Sequence, residues 1–141
     1  MKTLVLAMTI AAVPAGQAGA VLAAGTWIGE FKGETFIRLE LRAERGTTGG
    51  AMSTGNIELD EQGNLRRVTA APGTLTPIFD VVQEGATVTF SRKDDEDTDR
   101  FELRLLDSGR AELRLILTDE LRKELAADGI GAPKPIVLTR R

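Results

Sequence analysis

The sequence predicts an all-β protein, an antiparallel up-and-down β-barrel with one short helix close to the end of the chain. The first observation is a period of two: in 35–43, 100–105 and 110–117, apolar residues alternate with mostly charged ones. Successive side chains of a strand point to opposite faces, so each segment has one apolar and one charged face, as in antiparallel sheets with one face in water. The second observation is that short turns containing glycine separate these segments, which favours consecutive hairpins closing into a barrel without exposed edges.

The first part of the chain has the pattern of a secretory signal peptide. A positive start, an apolar middle and an end of small residues follow one another at Lys2, Thr3–Val13 and Ala18–Ala20. We therefore expect a signal peptide over 1–20, with cleavage that could extend to Ala23, and a single β-barrel domain over 21–141. The apolar run ends before the roughly 20 residues that a membrane-spanning helix needs, so no transmembrane span is predicted. The expected location is periplasmic or secreted.

Alternation and turn signals together place nine strands along this domain. They are predicted near 26–31, 35–43, 50–59, 65–69, 75–83, 86–91, 99–106, 110–117 and 135–140. One segment has a helical period instead: Thr118 can cap a helix whose residues Leu121 and Leu125 lie four apart, and Gly129 can end it. Phe36 and Ile116 interrupt otherwise charged outer faces, and we expect them to lie under this helix or, alternatively, in a patch for a partner.

The start of the predicted barrel resembles the lipocalin-like (calycin) family. Gly25-Thr26-Trp27 is similar to the Gly-x-Trp pattern that opens those barrels, and the order of hairpins, late helix and short closing strand is similar too. The pieces "GTWIGEF", "GATVTF" and "PIVLTRR" also resemble a small barrel module fused to some bacterial secreted hydrolases. The resemblance implies that Gly25 and Trp27 are structural, with the Trp27 ring buried at the closed end. A buried indole N–H needs an acceptor, and we expect a backbone carbonyl in this role. The Thr-Asp-Tyr motif of lipocalins is absent, because the chain has no Tyr.

The composition offers few groups for catalysis or metal binding. The chain has no His, Cys or Tyr, so a serine lacks its usual base and a metal lacks its commonest ligands. We therefore predict no enzyme, no catalytic residues, no cofactor and no metal site. With 21 acidic and 18 basic residues, the net charge of −3 gives no reason to expect a nucleic-acid partner.

The densest charge cluster is acidic and lies between two predicted strands. A calcium loop is one interpretation, since hard cations bind several carboxylates. However, the glycine and the final glutamate of such a loop are missing, and Arg92, Lys93 and Arg100 can neutralise the acids. A solvated hairpin tip is therefore the prediction for the cluster, which comprises Asp94, Asp95, Glu96, Asp97 and Asp99.

Two functions remain for the predicted barrel. In the first, the interior is packed and the protein is an interaction or structural module of the cell envelope, with an envelope protein as partner. In the alternative, it carries a small apolar ligand such as a lipid or fatty acid, and the ligand-binding residues are Leu39, Leu41, Phe90, Phe101, Leu103 and Leu113. Ligand pockets usually include a few polar groups. The positions that the alternation predicts to face inward offer almost none beyond Thr35, which favours the packed interior.

Overall fold

A computed structural model describes residues 23–45, 47–95 and 97–141, so the predicted signal peptide lies outside the described residues. Within this part of the chain no helix is long and apolar enough to cross a membrane. The strands are β1 (Gly25–Phe31), β2 (Glu34–Glu44), β3 (Thr47–Thr54), β4 (Ile57–Leu59), β5 (Leu65–Val68), β6 (Thr76–Pro77), β7 (Phe79–Glu84), β8 (Thr87–Asp94), β9 (Asp97–Leu105), β10 (Arg110–Leu115) and β11 (Ile136–Arg140). Helix α1 (Asp119–Ala127) lies between β10 and β11.

Nine of these strands form one antiparallel sheet that curls into a nearly closed barrel. Its order is β6-β3-β2-β1-β11-β10-β9-β8-β7, and β4 pairs with β5 separately. Neighbours in this order are consecutive strands of the sheet along the chain, except that β1 pairs with β11, which joins the two ends of the domain. At the remaining seam, the Thr48 hydroxyl donates to Gln83 Oε1, and the Ile78 N–H donates to the Gly50 carbonyl at 3.0 Å. The predicted antiparallel up-and-down barrel with one short helix is confirmed.

The strand register places the apolar alternation inside the barrel. Trp27 lies opposite Leu39, which in turn lies opposite Met52 on β3. On the other wall Phe90 lies opposite Phe101, with ring centroids 5.5 Å apart. All six residues predicted to face inward as possible ligand contacts are buried: Leu39, Leu41, Phe90, Phe101, Leu103 and Leu113.

Trp27 fills the interior near the start of β1. Its ring is fully buried, its indole N–H donates to the Ala23 carbonyl at 2.8 Å, and the Arg140 guanidinium carbon lies 4.6 Å from the ring centroid. A guanidinium over an indole face is attracted by the ring's negative electrostatic face. The buried ring and its backbone acceptor agree with what was expected of this tryptophan. Gly25 begins β1 with φ +136°, a conformation that residues with a Cβ rarely adopt.

The middle of the chain departs from the prediction. The strand expected over 50–59 is two strands, β3 and β4, and β3 already begins at Thr47 in what was expected to be a glycine-rich loop. The strand expected over 75–83 is also two strands, β6 and β7, interrupted at Ile78. The reason is that the chain leaves the barrel after β3, forms a hairpin of its own from β4 and β5, and returns only at β6.

This excursion covers part of the barrel's outer face. The Gly55 N–H donates to the Phe36 carbonyl at 2.8 Å, and the Ala71 N–H donates to the Thr35 carbonyl at 2.9 Å. Beside them, the Ser53 hydroxyl donates to the Pro72 carbonyl at 2.8 Å. Phe36 is therefore fully buried beside the 55–72 segment and not under the helix as expected. Ile116, expected under the helix as well, is 38% exposed.

Helix α1 begins and ends as the sequence indicates. Thr118 is its N-cap, and the hydroxyl accepts a hydrogen bond from the Leu121 N–H at 3.1 Å. Asp119 and Glu120 lie in the first turn, where negative charge is favourable beside the free N–H groups. Gly129 follows the helix with φ +71°. None of the helix residues is fully buried, so α1 lies on the barrel rather than within its core.

Candidate ligand cavity

The barrel interior is open at the end away from Trp27. A cavity of about 620 Å³ lies where β1, β3, β8 and β10 end and where β2, β9 and β11 begin. Its walls are mainly apolar and include Phe31, Ile37, Met52, Phe101, Leu113, Leu115 and Ile136. This end of the interior is therefore hollow, whereas the end around Trp27 is packed.

Two elements outside the barrel cover the cavity. Helix α1 contributes Leu121 and Leu125, and the β4–β5 hairpin contributes Ile57, Leu59 and Leu65. The stripe that predicted an amphipathic helix thus faces the cavity.

Backbone hydrogen bonds join the hairpin to the segment that follows α1. The Gly131 N–H donates to the Glu61 carbonyl at 2.9 Å, and the Lys134 N–H donates to the Gly63 carbonyl at 3.0 Å. Gly63 has φ +84°, and a Cβ added there would lie 2.0 Å from the Ala132 carbonyl oxygen. We call the β4–β5 hairpin, α1 and the 128–135 segment together the cover; it is one connected piece.

The cavity brings together only two of the six residues predicted as ligand contacts. Phe101 and Leu113 line it. The other four are buried in the packed part of the interior and do not line the cavity: Leu39, Leu41, Phe90 and Leu103.

Four charged residues line the cavity, namely Glu30, Arg92, Asp99 and Lys134. Sequence reasoning missed Arg92 and Asp99 in particular. Both were assigned to the charged hairpin tip. In fact Arg92 continues the inward alternation of Val88 and Phe90, and the strand register places Asp99 directly opposite it on β9. The period of two in β8 was the signal that could have identified Arg92 as an inward residue.

Arg92 is a buried cation with an incomplete set of partners. Arg92 is only 7% exposed. One terminal nitrogen donates to the Thr54 hydroxyl at 2.9 Å, and the guanidinium carbon lies 5.7 Å from the Phe101 ring centroid. The Arg92 Nε is buried and has no hydrogen-bond partner among the residues that the structure describes. Among the described residues, none of the ion pairs includes Arg92.

Asp99 is the carboxylate on the same lining. Burial raises its pKa above the ordinary value, the positive charge of Arg92 opposes that rise, and Asp94 and Asp97 add to it. Because the folded pKa lies above the unfolded one, the folded state holds the proton more tightly than the unfolded chain. The resulting stabilisation is complete below the unfolded pKa and is lost as the pH rises through the folded pKa.

The rest of the acidic cluster forms the β8–β9 turn. Asp94 pairs with Asp97 in register, Asp95 adopts φ +52°, and all three are exposed, while Glu96 lies outside the described residues. The hairpin tip expected here is present. No group of three or more His, Cys, Asp or Glu side chains that could hold a metal ion occurs in the described parts of the chain.

Comparison with known proteins identified no relative of this chain. No protein-family model, no curated protein and no solved structure matches the chain. The structure therefore establishes the class, a nearly closed antiparallel β-barrel with a covered cavity at one end.

Proposed function

We propose that this protein is an exported, non-catalytic barrel of the lipocalin-like kind that binds a small, largely apolar molecule in its cavity. The observation that carries the proposal is the cavity of about 620 Å³ with its mainly apolar walls. Small-molecule pockets usually measure roughly 300–1,000 Å³ and combine apolar walls with a few polar groups. Thr54, Arg92 and Asp99 are the polar groups that were missing from the inward positions read from the sequence.

The contrast between the two ends of the interior supports this proposal. Protein cores rarely contain voids larger than a water molecule, because side chains that face a void lose dispersion contacts. Around Trp27 the interior follows this rule, because Leu39 and Leu103 are fully buried and do not line the cavity. A small apolar molecule would supply the missing contacts at the other end.

The rim of the cavity also fits an apolar ligand. Ile57 and Val137 both line it and remain 39% and 50% exposed. Exposed large apolar side chains gathered at one opening are a common feature of binding sites. These residues would meet an apolar molecule before it enters.

A protein-interaction function is the second candidate, and a separate surface favours it. Phe79 and Val82 on β7 are 41% and 47% exposed. A register shift between them places both opposite outward residues of β8, Ser91 and Thr89, so they share one face. This apolar pair at the edge of the sheet would suit an envelope protein as partner.

Binding of an uncharged fluorophore tests the cavity proposal. We expect N-phenyl-1-naphthylamine to bind the wild-type protein saturably after any bound lipid has been extracted with solvent. Leu115→Trp places a larger ring in the cavity, so the affinity should fall about ten-fold or more, as expected when roughly 1.4 kcal/mol of binding is lost. Leu106→Trp is the matched control, since Leu106 is 42% exposed and lies outside the lining, and its affinity should equal that of the wild type.

The opposite result would favour the second candidate. A wild-type protein that binds no fluorophore after extraction contradicts a ligand cavity, as does an equal loss of affinity in both variants. Native mass spectrometry before extraction provides an independent measurement, because a ligand bound in the cell would appear as a mass that extraction removes.

A further inference from the structure

We propose that the cavity selects a singly charged anionic amphiphile, an apolar chain ending in a carboxylate, and that Arg92 binds the carboxylate. This inference rests on the proposed ligand-binding function and specifies its ligand class. A purely apolar molecule would make no use of the buried guanidinium in the cavity wall.

The hydrogen bonding of Arg92 is the first step of the argument. A guanidinium has five N–H donors in a fixed planar fork, and burying a charge costs much free energy unless it is paired. Thr54 accepts one of these hydrogen bonds, but within the described part of the chain the buried Nε has no acceptor. A carboxylate can accept from Nε and a terminal nitrogen together, which is the bidentate geometry that arginine forms with such groups.

The surroundings of Arg92 are the second step. The guanidinium lies over the Phe101 ring, and Leu113 and Leu115 continue the lining on β10. An acidic group held at Arg92 therefore leaves an attached apolar chain in contact with apolar walls. The low dielectric constant of such a site strengthens the charged hydrogen bond relative to water.

Asp99 limits the charge of the ligand. It lines the same cavity and lies opposite Arg92 in register, yet the two form no ion pair. A second negative charge on the ligand would be repelled by the Asp99 carboxylate at short range in a partly buried site. The pair therefore favours a monoanion such as a carboxylate over a doubly charged phosphate monoester.

The test compares two ligands with the same chain and different head groups. Dodecanoate and dodecan-1-ol are each used to displace N-phenyl-1-naphthylamine from the wild-type protein. We expect dodecanoate to bind about ten-fold tighter, a factor within the range of one charge-assisted hydrogen bond. Arg92→Gln should abolish this preference and leave the affinity for dodecan-1-ol unchanged. Asp99→Asn should increase the preference.

Arg110→Gln is the matched control. Arg110 is an exposed arginine at the start of β10 that pairs with Asp107, outside the cavity lining. Its removal changes the net charge by the same amount as Arg92→Gln, so the preference for dodecanoate should remain. Loss of the preference in both variants would assign it to the overall field of the protein and overturn the inference.

The remaining outcomes separate this inference from the proposed function. A wild type that binds both ligands equally overturns the role of Arg92 and leaves a cavity for neutral molecules. A wild type that binds neither the fluorophore nor the two ligands overturns both.

A measurement on the wild type avoids dependence on a variant that fails to fold. In ¹⁵N-labelled protein the Nε–H resonance of Arg92 should shift on addition of dodecanoate and stay in place with dodecan-1-ol. An unchanged resonance in the presence of bound dodecanoate would overturn the inference.

Discussion

At the scale of single residues, Trp27 shows how one side chain connects the start of the domain to the barrel. A buried indole needs an acceptor for its N–H, and the sequence predicted a backbone carbonyl in this role. The acceptor is Ala23, which is itself fully buried four residues earlier. The barrel therefore uses residues that precede β1, and this bears on where a leader could be cut.

Shortening the chain past Ala23 should destabilise the barrel. A chain beginning at Ala24 lacks the carbonyl that accepts the Trp27 N–H, and a buried donor without a partner costs about 1–3 kcal/mol. We expect a chain beginning at Val21 to be more stable by that amount in urea unfolding.

The replacement Trp27→Phe, which has no N–H, is the control for this comparison. The difference between the two chain lengths should shrink in its presence, and equal stability of the two chains with Trp27 intact would contradict the prediction. If the chain is exported as proposed, N-terminal mapping should find cleavage after Ala20 rather than after Ala23, because only the first cut keeps the Ala23 carbonyl that Trp27 uses.

At the scale of elements, the sequence was informative where a strand has one face in the core and one in water. The alternation in β2, β9 and β10 follows the burial of these strands closely. It failed over 50–59 and 75–83, because β4 leaves the barrel to form a separate hairpin with β5 and β6 has only two residues, whereas the strand predicted near 65–69 is present as β5. Helix α1 could be predicted from its N-cap and its apolar stripe. The hydrogen bonds between the β4–β5 hairpin and the segment after α1 could not, because backbone groups make them and leave no pattern in side-chain type.

The junction of the cover gives a prediction at this scale. Gly63→Ala introduces a Cβ at positive φ and also places it against the Ala132 carbonyl. Gly85→Ala is the matched control, since Gly85 has φ +59° and nothing lies within 4 Å of an added Cβ. Positive φ alone costs roughly 1–2 kcal/mol for a residue with a Cβ. We expect Gly63→Ala to lower the free energy of unfolding by clearly more than Gly85→Ala does.

Hydrogen exchange can locate the effect of Gly63→Ala. The amides of Gly131 and Lys134 donate to Glu61 and Gly63, so both should exchange faster when the hairpin separates from the segment after α1. The same amides should keep their protection in Gly85→Ala. Similar unfolding energies and unchanged exchange in the two variants would show that this junction does not hold the cover in place.

At the scale of the whole molecule, the interior has a packed part and a hollow part, and only the fold around them was accessible to sequence reasoning. Leu103 on β9 and Leu115 on β10 have the same inward parity, yet Leu103 is fully buried in the packed part and Leu115 lines the cavity. The sequence cannot distinguish a leucine that packs against other side chains from a leucine that lines a cavity, because the residue type is the same. Arg92 was accessible, since it follows Val88 and Phe90 at a period of two.

The two-part interior predicts that stability and ligand binding respond to different leucines. Leu103→Ala removes a fully buried side chain from close-packed neighbours and should cost about 2–5 kcal/mol. Leu115→Ala should cost less, because a partly buried side chain beside a void has fewer contacts to lose. Binding of N-phenyl-1-naphthylamine should show the reverse order, with Leu103→Ala close to the wild type under conditions in which it is folded and Leu115→Ala altered. Urea unfolding and fluorescence titration of the two variants provide both comparisons. Equal losses of stability together with equal affinities would indicate a uniformly packed interior and would favour the exposed face of β7 as the functional surface.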